Sequence, residues 1–249
     1  MQLKNYYYWY QSAISPEICQ KIIDLGTSKF AEMTSKGERT EAYTFGSQEK
    51  SAKPDAVPQN DQSKFEVGET DTYVRDSEVA WLNDQWLYDL ILPYINEANE
   101  QAGWKWDIDR TETFQFTKYN PSGFYSWHKD GDSDWNGVYK RYIHGITKEP
   151  LKPDGSLPAY YVTDNHLVGK VRKISMTLNL NPPGQYEGGD LKFDFGLNVP
   201  KENRFHTCEE IRPQGSIIVF PSFVDHCVTP ITSGTRYSLV LWTLGDPWK

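Results

Sequence analysis

Cysteine is scarce in this chain of 249 residues: only Cys19, Cys208 and Cys227 occur, far apart and without a C-x-x-C pair. An odd, scattered set excludes a disulfide framework and reads as reduced thiols in a cytoplasmic protein. Long hydrophobic runs are also missing. None approaches membrane-spanning length, and the opening MQLKNYYYWY lacks an apolar signal core, so neither a membrane span nor a leader is expected. Basic charge is outnumbered, with 26 Lys and Arg against 34 Asp and Glu and a formal net charge of -8. That balance leaves no electrostatic footprint for a phosphate backbone, so no nucleic-acid partner is expected. Repeats and low-complexity tracts are absent as well.

Aromatic rings are plentiful: 14% of the residues, including 9 Trp and 16 Tyr. They can fill a core that is short of aliphatics, so the chain should fold. Ser15-Pro16-Glu17 supplies an N-cap, a first-turn proline and a dipole-compatible acid, and Ile18, Ile22, Ile23 and Leu25 follow at helical spacing. Residues 34–72 read as a loop-rich segment. A second helix is expected from Ser77 to about Ala102, with Val79, Leu82, Trp86, Leu87, Leu90, Ile91 and Ile95 as its buried stripe, Pro93 within it and Gly103 as its stop.

From Thr111 the texture changes to short β-prone runs between Pro/Gly turns: 112–119, 124–130, 171–181, 189–195, 204–211, 215–220, 225–231 and 235–244. This rhythm suggests a jelly roll or barrel, interrupted by an insertion over 131–170. The expected organisation is one domain over 1–249, in which 1–110 supports a β-rich 111–249.

In Phe124-Tyr125-Ser126-Trp127-His128-Lys129-Asp130, His128 and Asp130 are two apart, so an extended backbone aims both at one face. His226 is the candidate third ligand. Two imidazoles and a carboxylate on one side of a metal form the facial triad of non-haem Fe(II) oxygenases, although zinc in a hydrolase uses the same ligand types. Arg236 follows His226 by ten residues and offers a planar fork for a carboxylate. A turn at Ser233-Gly234 would place the two on adjacent strands. Arg236 and Trp242 share parity. So do Ser175, Thr177 and Asn179 against Met176, Leu178 and Leu180, and Gln115, Thr117 and Tyr119 against Phe114 and Phe116. The opposite parity of Tyr125 and Trp127 to His128 assigns those rings to the core.

These segments together resemble the 2-oxoglutarate/Fe(II)-dependent oxygenase superfamily, prolyl 4-hydroxylase-like branch, over about residues 112–245. Tyr119 through Asp130 is similar to that branch's Tyr…Gly…Tyr-x-x-His-x-Asp signature, with one extra residue between Tyr119 and Gly123. Glu187-Gly188-Gly189-Asp190 is similar to its Gly-Gly strand start. Pro213-Gln214-Gly215, Phe220-Pro221, His226, Gly234, Arg236-Tyr237 and Trp242 complete the match. The resemblance implies a β-dominated α+β fold: a double-stranded β-helix (jelly roll, cupin-like) with flanking N-terminal helices. It implies iron on His128, Asp130 and His226, the distal carboxylate of 2-oxoglutarate on Arg236, secondary cosubstrate contacts from Tyr119, Thr177 and Asn179, and packing by Trp242. Fe(II), 2-oxoglutarate, O₂ and accessory ascorbate are the implied cofactors, with succinate and CO₂ as coproducts. Because Asp130 fills the position that halogenating relatives leave small, hydroxylation is favoured over halogenation.

The substrate implied first is a peptidyl proline, then a free amino acid or other small molecule. Three other classes compete. The nucleic-acid demethylase branch would show basic surfaces. A metal-binding jelly roll without catalysis would not need Arg236 beside Trp242. A metal-dependent hydrolase would not need 2-oxoglutarate. Asp132 to Gly137 imitates the start of an EF-hand loop, but Ile143 stands where a bidentate Glu is required, so a turn is expected. His144, His166 and His206 are read as surface or turn residues. Trp135 and Tyr139 are read as packing within the insertion, with a lid role as the competing option.

Overall fold

The computed structural model describes residues 3–38, 40–42, 75–134, 137–147, 160–182 and 184–248. Along the chain run β1 (Tyr8–Tyr10), α1 (Pro16–Ser35), β2 (Arg75–Asp76), β3 (Glu78–Leu82), α2 (Gln85–Gln101), β4 (Arg110–Thr111), β5 (Phe114–Tyr119), β6 (Phe124–His128), β7 (Lys140–Arg141) and β8 (Tyr161–Val162). There follow β9 (Val171–Asn179), β10 (Tyr186–Gly188), β11 (Leu191–Asp194), α3 (Lys201–Arg204), β12 (Phe205–Thr207), β13 (Ile217–Pro221), β14 (Asp225–Val228), β15 (Ile231–Gly234) and β16 (Arg236–Gly245).

Alternation along the strands builds two layers. The major sheet runs β1-β13-β9-β16-β5-β3, with β4 on β16, and the minor sheet runs β12-β11-β14-β6-β2. Met176, Leu178, Phe114, Phe116, Leu239 and Leu241 point to one face of the major sheet, where Ile22 and Phe30 of α1 and Leu87, Ile91 and Ile95 of α2 cover them. The opposite parity points between the sheets, where Ile218 and Phe220 meet Leu191 and Phe193. Fully burying each such side chain is worth roughly 1.5–3 kcal/mol relative to exposure, so the helices stabilise the sheet they cover. The result is the β-dominated double-stranded β-helix with N-terminal helices expected from the sequence.

Ser15 caps α1 as expected, its Oγ accepting from the Ile18 N–H at 3.4 Å. Gly103 stops α2 with φ +76. The start of the second helix is different. Val79-Ala80-Trp81-Leu82 is an edge strand paired to β5, and α2 begins only at Gln85 after Asp84. Val79, Trp81 and Leu82 around Ala80 suit a strand as well as a helix, and pairing with β5 decides between them. The segment 204–211 is likewise not one strand: α3 leads into β12, and a 3₁₀ turn covers Glu209–Ile211. Ser233-Gly234 is no turn, since β15 pairs antiparallel with β10. Of the loop-rich segment, Ser35 still belongs to α1 and Glu41 bridges Glu78; positions 43–72 lie outside the described residues. Among its described residues the insertion carries a parallel pair, β7 with β8, and Trp135 lies outside the described residues.

Candidate metal and carboxylate site

Three side chains converge between the sheets. β6 ends at His128, β14 carries His226 directly opposite it, and Asp130 follows just past the strand end. The Asp130 backbone N–H donates to the Ser222 carbonyl at 3.0 Å, which holds the carboxylate in place without a ladder. Asp130 Oδ1 lies 3.6 Å from His128 Nε2, and Oδ2 lies 3.5 Å from His226 Nε2. One ligand atom from each residue falls within 4.8 Å of the others.

Backbone carbonyls fix both imidazoles. His128 Nδ1 donates to the Ser126 carbonyl at 2.7 Å and His226 Nδ1 to the Val224 carbonyl at 3.0 Å. Each ring therefore presents a bare Nε2 to the common centre, the arrangement a metal needs. Burial, and then the neighbouring His128, push the His226 imidazole down to about 4, so it is neutral at pH 7. Burial alone would raise the Asp130 carboxyl, but His226, His128 and Arg172 hold it well below the usual carboxylate range. Two imidazoles and one carboxylate suit a divalent transition metal, Fe(II) included.

On the facing sheet, Arg236 is 2% exposed, and its Nε has no hydrogen-bond partner among the described residues. Its guanidinium lies 5.5 Å from the Tyr119 ring. A buried cation with an orphaned donor fits a bound carboxylate, since leaving it unmatched is costly. The cavity between triad and guanidinium is about 50 Å³, and its wall includes Tyr119, Thr177 and Trp242.

His226 and Arg236 are not on adjacent strands. His226 is in the minor sheet and Arg236 in the major sheet, with β15 between them in sequence, so they face each other across the cavity. Asn179 shares the inward parity but is absent from the cavity wall. Its amide donates to the Arg212 and Asn181 carbonyls at 2.9 and 3.2 Å. Tyr125 corrects the parity reading: it lines the cavity, its ring 3.4 Å from that of His128. A bulge is the reason. His226 pairs with His128 but Val228 with Tyr125, so β6 gains a residue and Tyr125 turns to the inner face.

Arg75 lies in a segment that the sequence offers only as the approach to a helix. It is buried in the cavity wall, its Nε donating to Ser77 Oγ at 2.7 Å and its plane 4.6 Å from the Tyr125 ring. Arg172 grips Glu112 at 2.6 and 2.7 Å, donates to the Asp130 carbonyl at 3.1 Å and stacks 3.9 Å from Trp242. Tyr139 joins that network through Glu112 Oε1 at 2.8 Å, so it packs. His206 meets Tyr7 and Glu210 and is not part of the cavity wall, and His144 and His166 are exposed. Among the described residues, no helix is long and apolar enough to cross a membrane.

The family model of the 2OG-Fe(II) oxygenase superfamily matches residues 114–244. A PKHD-type hydroxylase of Hyphomonas neptunium is 38% identical over 84 residues, which is 32% of this chain and 34% of that protein. The match thus spans about a third of that relative's length. Among solved structures, a Pseudomonas putida prolyl-4-hydroxylase superposes with a TM-score of 0.55 at 16% identity, over 96% of this chain and 92% of its own. A prolyl hydroxylase from Trichoplax adhaerens, in complex with a hypoxia inducible factor peptide fragment, gives 0.54 at 13% identity over 96% and 84%. At these identities the two structures speak for the fold.

Proposed function

Because the chain belongs to the 2OG-Fe(II) oxygenase superfamily, we propose that it hydroxylates a C–H bond of a peptidyl prolyl residue, with Fe(II) on His128, Asp130 and His226. The observation that carries this reading is one cavity holding both the triad and the buried guanidinium of Arg236, whose Nε has no partner among the described residues. A hydrolase or a passive metal site needs only the first.

When bound, Fe(II) supplies the redox chemistry by which O₂ and 2-oxoglutarate are converted to succinate and CO₂ as a C–H bond is oxidised. The chain's own residues do the rest. His128 and His226 would offer their Nε2 atoms, and Asp130 adds the carboxylate, occupying the position that a halide would otherwise take. Arg236 binds the distal carboxylate of the cosubstrate as a fork, with Tyr119 and Thr177 beside it. Trp242, Phe220 and Val228 wall the cavity with apolar surface, which excludes water and strengthens each charge contact. Three buried cysteines outside any disulfide fit a reducing cytoplasm.

Proteomics on a host expressing the chain, with and without His128→Ala, tests the substrate. A gain of one oxygen on proline in the active strain alone is expected, with succinate release that needs Fe(II), 2-oxoglutarate and ascorbate. Oxygen gained only on free amino acids or small molecules would move the reading to those substrates. Fe(II)-independent turnover would end it.

A further inference from the structure

A cleft of about 690 Å³ opens beside the cavity, against β3, α2 and the insertion. It is large enough for a sizeable ligand. Resting on the reading that the chain oxidises a residue within a polypeptide, we propose that this cleft docks an extended, positively charged polypeptide segment flanking that residue.

The cleft is linked to the site by two contacts. Trp81 pairs in register with Gln115 of the cavity wall, so its ring stands on the inner face of the major sheet at the sheet's edge. That ring is 46% exposed and lies 6.3 Å from the ring of Trp242. The second contact is Glu112, which lines the cleft and grips the same Arg172 that donates to the Asp130 carbonyl. An occupant of the cleft therefore lies against Trp81, which reaches the inner aromatic wall, and against Glu112, which Arg172 links to the backbone of a proposed metal ligand.

The lining selects the occupant. Trp81, Tyr88 and Leu92 form an aromatic and aliphatic ledge of the kind that receives extended, proline-containing chains. The Tyr88 hydroxyl is already committed to Asn83 Oδ1 at 2.8 Å, so the ring face is what remains to offer. Among the described residues, no Lys or Arg lines the cleft, whereas Glu112 and Asp164 do. Glu112 is neutralised by Arg172, and Asp164 is exposed. A cation passing along the ledge meets Asp164 within a chain of net charge -8.

Fluorescence anisotropy on the full chain tests this, with short fluorescein-labelled peptides carrying a central proline between lysines or between glutamates. The lysine peptide should bind about fivefold tighter. Asp164→Lys should remove that difference. Trp81→Ala should weaken the lysine peptide about tenfold, and Trp81→Phe should recover most of it. Equal affinity for the two peptides, indifference to Trp81→Ala, displacement by free proline, or failure of both peptides to bind would each overturn the assignment; the last would mean that the chain covers its own cleft. Turnover is read separately. Selective binding without succinate release sinks the hydroxylase reading alone, and release without lysine preference sinks the cleft alone.

Discussion

At the scale of single residues, what matters is which charges are left without partners. Arg236 is buried with an orphaned Nε, so removing it should abolish a charge-assisted fork worth about 2–3 kcal/mol. Arg236→Ala should raise the 2-oxoglutarate requirement roughly 30- to 150-fold and leave metal affinity intact. Steady-state kinetics beside metal titration separate the two effects, and an unchanged requirement would remove Arg236 from the site. Gly189 acts on the same guanidinium. Its φ is +63, and an added Cβ would sit 3.1 Å from Arg236 Cδ and collide with Ile231 Cδ1. Gly189→Ala should therefore cost about 1–3 kcal/mol in urea unfolding and raise the 2-oxoglutarate requirement as well. Loss of stability with unaltered cosubstrate kinetics would show that Arg236 is not displaced. The Gly-Gly motif is legible in the sequence; its target is not, because Arg236 is far along the chain.

At the scale of elements, α1 decides how closely the helical layer approaches the major sheet. Gly26 lies directly on the Phe116 ring, and a Cβ there would overlap it. Replacing glycine by alanine inside a helix normally gains up to about 1 kcal/mol, but overpacking a buried aromatic costs about 1–3 kcal/mol. Gly26→Ala should thus be net destabilising, by about 1–2 kcal/mol in chemical unfolding, with cosubstrate affinity unchanged because the contact is on the face away from the cavity. A stabilised variant would mean that α1 docks elsewhere. Elements also show where periodicity misleads. Val79 and Leu82 fit a helical stripe and an edge strand equally, and pairing with β5 chose the strand. That choice put Trp81 at the cleft instead of on a helix.

At the scale of the whole molecule, one apolar cluster joins α1 and α2 to the outer face of the major sheet. Residues 111–249 expressed alone should expose that face and aggregate without a cooperative melting transition. A cooperative melt of that fragment would show that 1–110 is dispensable. The thiols report on the same burial. Cys19, Cys208 and Cys227 are at most 1% exposed, and burial pushes the Cys19 thiol up to about 11. The native chain should resist a thiol reagent at pH 8 and release all three thiols only in denaturant. By itself, the sequence determined which residues share a face. Gln115, Thr117 and Tyr119, Ser175 and Thr177, and Arg236 and Trp242 all turn to the inner face because parity is a local property of an extended backbone. It also determined the donor chemistry of His128, Asp130 and His226. Tertiary structure alone decided that His226 and Arg236 oppose each other from different sheets, that a bulge turns Tyr125 inward, and that Asn179 is spent on backbone carbonyls. Each of those depends on pairing between distant strands, which local periodicity does not encode.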